Sequence, residues 1–170
     1  EVIKIMGSDL SVVNAARVSY NKVSEEFDNK DEKLIKYLAE HNHWSPFAHA
    51  FASFRIEAPI FVARQLVKHQ VGLAWNEVSR RYVDYVPKVY KIDKWRGRPK
   101  NSKQGSDGVV VMSKDMQFKY DMCIERSITM YNNMIEEGIA PEQARAVLPQ
   151  GMMTEWIWSG SLYAFARVCN

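Results

Sequence analysis

Residues 64–82, RQLVKHQVGLAWNEVSRRY, crowd Arg64, Lys68, His69, Arg80 and Arg81 around an amide and an acid, Asn76 and Glu77, with Ser79 close behind. Groups that are or can become cationic, mixed with neutral donors and acceptors, suit a phosphorylated ligand such as a nucleotide. Arginine forks pair with phosphate oxygens, and an acid or amide reads a sugar or a base. Taken alone, Glu77 fits an ion pair with a neighbouring arginine equally well, and a run of charge is most often a solvated helix end. The Trp75-Asn76-Glu77 interruption favours a site. A second cluster, His41, His43, Trp44 and His49, offers rings that can stack on a planar heterocycle. A zinc centre on the three histidines is a rival reading. No neighbouring cysteine or carboxylate completes its ligand set, so no metal is expected. Neither a GxGxxG run nor a P-loop occurs, which argues against a dinucleotide fold.

The elements that must position these groups can be read from periodicity. Pro59 suits the first turn of a helix over 59–70, where Phe61, Gln65 and His69 share one face and Arg64 and Lys68 another. Gly72 permits a break, after which NEVSRRY reads as a loop fed by that helix. Upstream, 2–5 read as a short strand and Ser8 or Asp9 as the cap of a helix ending near ARVSY. A second helix starts at Asp31 with Leu34, Ile35 and Leu38 as its apolar stripe, and HNHWSP follows as a loop. In AHAFASFRIEA, Ala50, Ala52, Phe54 and Ile56 alternate with polar positions such as Arg55 and Glu57, the pattern of a half-buried antiparallel strand. Downstream, 109–111 suit an edge strand, and 114–137 a long helix with Tyr120, Ile124, Ile128, Tyr131 and Ile135 on one face and Gly138 as its stop. Pro141 opens another helix, 153–158 read as a strand or turn, and a last helix follows. The fold class expected is α+β, a small antiparallel sheet packed with several helices, in a single domain spanning 1–170.

Composition sets outer bounds. In 170 residues, 46% hydrophobic and 25% charged residues are ordinary globular values, and a net charge of +3 permits anionic ligands without announcing nucleic acid. No apolar run is long enough to span a bilayer. Cys123 and Cys169 stand in no metal-like or redox spacing, so each is expected as a small buried apolar residue, and a reducing cytoplasm is the default compartment. The stretch 86–108 differs from the rest: Lys88, Lys91, Lys94, Arg96, Arg98, Lys100 and Lys103 meet only Asp93 and Asp107, interleaved with Tyr90 and Trp95. It reads as an exposed basic loop insertion. A nucleic-acid-binding module built on it is the other rival reading.

The ordered set of short motifs resembles one family, the flavin-dependent thymidylate synthases. That family carries Arg-His-Arg, seven residues, then Ser, inside an RQ…RHR…NE.S.RY frame. Here Arg64-Gln65 matches the opening, Lys68-His69-Gln70 stands at Arg-His-Arg, and Asn76-Glu77-Val78-Ser79-Arg80-Arg81-Tyr82 matches the close. AARVSY at 15–20, HNHWSPFAH at 41–49, APIFVARQ at 58–65 and ARAVLP at 144–149 extend the likeness over most of the chain. Lys68 and Gln70 replace both signature arginines, and eight residues separate Gln70 from Ser79. The pattern reads as a divergent, phage-type member.

The resemblance implies methylation of dUMP to dTMP. Methylenetetrahydrofolate gives the carbon, reduced FAD the hydride, and NADPH regenerates the flavin, with no enzyme cysteine as nucleophile. It places Gln65, Lys68, Glu77, Val78, Ser79, Arg80, Arg81 and Arg145 at dUMP. FAD would be touched by Ser45, Lys68, His69, Gln70, Glu77, Ser161, Leu162, Tyr163 and Arg167, with His43 and Trp44 stacking near the flavin or folate ring. Tyr163 and Arg167 stand where other members commonly carry arginine and asparagine. The family's N3-ionising arginine falls shortly after the position of Asn170, so that arginine and the rest of the family's C-terminal part are expected beyond it, and no catalytic residue is assigned within 1–170. A cytoplasmic homotetramer with shared sites, binding no membrane or nucleic acid, is expected.

Overall fold

A computed structural model describes residues 1–169. The chain begins with strand β1 (Val2–Met6) and helix α1 (Asp9–Arg17), with Ser8 at the N-cap position. Helix α2 (Asn29–Glu40) starts two residues before the expected Asp31, because Asp28 is its cap: the Asp28 carboxylate accepts from Lys30 N at 2.7 Å and Asp31 N at 2.9 Å. Those backbone donors, Asp31 N–H foremost, hold the Asp28 carboxyl below its ordinary range. Asp31 instead closes the capping box, accepting the Asp28 N–H at 3.1 Å, and it takes the Arg17 guanidinium and Ser24 hydroxyl as well.

The expected loop holds over 41–44 and passes into a 3-10 turn (Ser45–His49), which leads into strand β2 (Phe51–Pro59), where Arg55 and Glu57 are exposed as the alternation requires. Helix α3 (Ile60–Leu66) is shorter than the expected 59–70. Pro59 ends the strand, and Val67–Gln70 form a turn and extended exit, so His69 does not share a helix face with Phe61. Strand β3 (Leu73–Glu77) takes Asn76 and Glu77 from the expected loop, which holds from Val78 to Tyr82: the strand pairs antiparallel with β6 residue for residue, from Leu73 opposite Gly160 to Glu77 opposite Trp156. The missed signal is the Leu73, Trp75 period of two, masked because Ala74 between them is apolar as well. Gly72 has φ +76°, a left-handed turn that suits glycine, and a Cβ on Gly160 would meet the Gly72 carbonyl oxygen at 2.6 Å.

The basic stretch carries a two-stranded ribbon, β4 (Arg96–Gly97) with β5 (Asp107–Val109), which takes only Val109 of the expected 109–111 strand. Helix α4 (Lys114–Glu136) runs as expected, with Tyr131 fully buried. Helix α5 (Pro141–Ala144) passes into a 3-10 turn (Arg145–Val147). Strand β6 (Met153–Ser161) is a full strand rather than a turn, and helix α6 (Leu162–Ala166) follows. The main sheet has order β1-β2-β6-β3.

The chain forms two compact units. The first comprises residues 1–57, 62–78 and 154–170; the second comprises 58–61 and 79–153. In the first, Val12, Val13, Leu38, Trp156, Trp158 and Ala164 are buried. Trp75 stacks on Trp156 at 4.3 Å, and Phe165 stands edge-on to both Trp158 and Phe54 at 5.2 Å. The second unit is centred on Tyr131 and Ala144 of α4 and α5. Both cysteines, expected to be buried, are exposed. Cys123 falls off the edge of the α4 apolar stripe, and Cys169 lies past the end of α6. Among the described residues no helix is long and apolar enough to cross a membrane.

Asp31 is 1% exposed and carries three kinds of donor, so Asp31→Ala should leave Arg17 and the Asp28 N–H without their acceptor. Because Arg17 is partly exposed, the expected cost is about 2–3 kcal/mol, at or below the low end for a broken buried pair. Urea unfolding should show the midpoint fall at unchanged slope.

Candidate functional site

Strand alternation sets the centre of the site in the first unit. Leu73, Trp75 and Glu77 share one face of β3, and Thr154, Trp156 and Trp158 share the matching face of β6. Glu77 stands opposite Trp156, and Thr154, two residues from Trp156, is its diagonal neighbour. The Thr154 hydroxyl donates to Glu77 Oε1 at 2.7 Å, and Trp75 Nε1–H donates to Oε2 at 3.2 Å. Glu77 is exposed, yet each of its oxygens holds a fixed neutral donor. Both of these contacts come from uncharged groups, a hydroxyl and an indole N–H. Thr154 was missed in the sequence; the period-two order of Thr154, Trp156 and Trp158 was its signal. Val78, next in the chain, is exposed and donates its N–H to the Glu155 carbonyl at 2.9 Å.

Also in the first unit, Gln65 ends α3, and Lys68, His69 and Gln70 lie on the turn and exit beyond it, all exposed. A separate cleft of about 210 Å³ is lined by Leu38, Asn42, His43, Trp44, Leu162 and Tyr163, among others. Trp44 is 54% exposed and leans toward Tyr163 at 5.5 Å, while Arg167 sits 6.0 Å from the Tyr163 ring. These are the rings and C-terminal residues expected to meet planar ligands, gathered here by α2, the 3-10 turn after it and α6. Ser45 opens that 3-10 turn and is exposed. Ser161 is buried, and its hydroxyl is spent as the α6 cap, accepting from Ala164 N at 3.2 Å. His41 stacks on Tyr37 at 4.1 Å and donates from Nδ1 to the Tyr37 carbonyl at 2.9 Å. Among the described residues, no set of three His, Cys, Asp or Glu side chains converges as a metal site.

The second unit holds the remaining expected contacts. Ser79 Oγ accepts from both Arg81 N and Arg81 Nε at 3.3 Å, which draws the exposed Arg81 guanidinium toward the serine. Arg81 also lies 5.1 Å from the Tyr82 ring. Arg80 is buried: it donates to the Tyr85 carbonyl and covers the Tyr85 ring at 4.4 Å, so it braces the 80–85 turn. Arg145 is exposed, with Nε donating to the Glu142 carbonyl at 3.1 Å. On the basic stretch, Trp95 packs edge-on to Tyr120 and donates to Gln117 at 3.0 Å, and Tyr90 packs on Phe61. Both rings are held by neighbours through edge-on contacts, and Tyr90 keeps 42% of its surface exposed.

Comparisons with known proteins point to one family. The family model described as thymidylate synthase complementing protein matches residues 1–170. The chain is 41% identical to the flavin-dependent thymidylate synthase of Kosmotoga olearia, over 93% of this chain and 69% of that protein. It is 38% identical to the one from Thermosipho africanus, over 99% of this chain and 74% of that protein. Among solved structures, the UMP/dUMP methylase PolB from Streptomyces cacaoi, bound with 5-Br dUMP, superposes with a TM-score of 0.81 at 31% identity. That match covers 96% of this chain and 73% of PolB. The chain belongs to the flavin-dependent thymidylate synthase family.

Proposed function

We infer that this chain methylates dUMP to dTMP, taking its one-carbon unit from methylenetetrahydrofolate. Bound FAD, reduced by NADPH, supplies the hydride. The observation that carries the reading is Glu77, a carboxylate fixed by two neutral donors and followed in the chain by the Ser79 hydroxyl and the Arg80 and Arg81 cations. A carboxylate repels phosphate and accepts from O–H and N–H, so Glu77 reads the sugar or base, and exposed Arg81 takes phosphate oxygens. Arg145 adds a second exposed cation for the nucleotide, while Arg80 contributes chiefly by holding the turn that presents Arg81. Gln65 and Val78 complete the nucleotide set, with Val78 acting through its backbone.

The flavin fits the residues present. The His43, Trp44 and Tyr163 cleft offers aromatic walls for a planar ring. At about 210 Å³ it lies below the roughly 300–1,000 Å³ that encloses a whole drug-sized ligand, so it accepts a ring and leaves a phosphate-bearing tail outside. Lys68 supplies charge for that tail, His69, Gln70 and Ser45 supply polar contacts, and Leu162 lines the ring. Lys68 keeps the charge of the family's arginine but not its planar fork, so its contact is a point charge. Ser161 serves the cofactor indirectly, by capping the helix that carries Leu162, Tyr163 and Arg167. Glu77 reaches toward both ligands.

Assembly belongs to the same reading. Val2, Ile3, Ile5 and Met6 on β1 and Met116, Phe118 and Met130 on α4 are more than 40% exposed, apolar surface that supports a homotetramer with shared sites. Residues 1–170 act in it as one catalytic domain, in the cytoplasm. Lowering the barrier rests largely on orienting nucleotide, folate and flavin together, an effect worth roughly 7–11 kcal/mol when geometry is right.

Purified protein should be yellow, or retain flavin absorbance after incubation with FAD and removal of the free cofactor by gel filtration; protein that retains no flavin refutes the reading. Arg81→Ala should weaken dUMP binding by about 1.5–3 kcal/mol, the range for a hydrogen bond to a charged group. Calorimetric titration with dUMP of the FAD-loaded protein checks this, and unchanged affinity would remove Arg81 from the phosphate.

A further inference from the structure

We propose that Thr154 and Trp75 are positioning residues for Glu77, fixing its carboxylate to accept a hydrogen bond from a neutral O–H or N–H of the nucleotide. The inference rests on the placement of Glu77 at dUMP given above and deepens it by naming the residues that make that contact selective. Thr154 is 8% exposed, and its hydroxyl spends its proton on Glu77 Oε1 at 2.7 Å, across the β3–β6 pairing. Trp75 donates to the other oxygen at 3.2 Å, and its ring is pinned by stacking on Trp156 at 4.3 Å and 19°. Both donors therefore stand on rigid strand positions.

An exposed glutamate on a strand end ordinarily samples several rotamers. Here two donors set one orientation before any ligand arrives, which removes part of the ordering cost of binding. An ionised carboxylate has about four acceptor sites. Two are occupied, one on each oxygen, and the rest stay available because Glu77 is exposed. Both donors are neutral, so neither cancels the negative charge of the carboxylate. A phosphate is repelled from it, and a neutral donor is the group it selects.

A residue that merely satisfied its own buried hydroxyl would affect stability and leave nucleotide affinity alone. The two roles separate in a mutant cycle on the FAD-loaded protein, with Kd for dUMP measured by calorimetry. Thr154→Val should raise that Kd about tenfold, the equivalent of one hydrogen bond to a charged group. Thr154→Ser, which keeps the hydroxyl, should restore it. Glu77→Gln should raise Kd at least as much, and adding Thr154→Val to Glu77→Gln should change little further, because the threonine acts through the acid. Should Thr154→Val fail to fold, Trp75→Phe keeps the stacked ring, removes the other donor and enters the same cycle.

Additive effects of the two substitutions, or unchanged affinity in Thr154→Val beside a weakened Glu77→Gln, overturn the proposal while leaving Glu77 at the nucleotide. Unchanged affinity in Glu77→Gln withdraws that placement, and the proposal with it. Wild-type protein that binds no dUMP in the presence of FAD refutes the functional reading itself.

Discussion

The antiparallel register of β3 against β6 is the constraint on which the first unit depends. Because side chains alternate across a strand, a shift of one residue would turn Trp75 and Glu77 to the opposite face and separate them from Trp156 and Thr154. The register is held by its own chemistry. Trp75 stacks on Trp156, Trp158 meets Trp75 edge-on at 5.7 Å, and Gly160 leaves room for β3 where any larger residue would collide. The apolar burial that stabilises the sheet thus also aims the one carboxylate that the site uses.

The other face of the same strands is polar and does different work. Ser53 and Ser159 share a hydrogen bond at 2.8 Å, and Arg55 reaches Glu155 at 3.0 Å, an exposed pair worth little in stability. One face therefore carries core and carboxylate, and the other carries solvent contacts. The division explains how Glu155 and Glu77, both on adjacent paired strands, come to unlike roles.

Several polar groups that sequence alone offers to ligands are committed within the fold. Arg80 braces a turn through Tyr85, Ser161 caps α6, and His41 is tied to Tyr37. Each of these groups satisfies the rule that buried or terminal polar groups find partners, and that rule removes them from the pool free for binding. Exposed Lys68, His69, Arg81 and Arg145 remain. The order of motifs along the chain identified the family because each motif is short but their sequence is not shared by chance. The same motifs do not say which of two adjacent arginines is buried, since Arg80 and Arg81 carry the same side chain.

The residues by themselves determined the mixed helix and small-sheet class, the long α4 with its stripe ending in Tyr131 and Ile135, the break at Gly72 and the candidate cluster around Glu77. In each of these the signal is local: spacing on one helix, a glycine that permits a break, charge density on one segment. What tertiary structure decided is long-range. Segment 73–77 is a strand only because 156–160 lies beside it, and Thr154 becomes a partner of Glu77 across 77 residues of chain. Helix α3 stops at Leu66 and both cysteines face solvent, because the packing surface, not the helical propensity of 59–70 or the apolar character of a thiol, set where burial ended. Hydrogen-bond partners far apart in sequence leave no trace in periodicity, and it is they that turn an exposed glutamate into a fixed one.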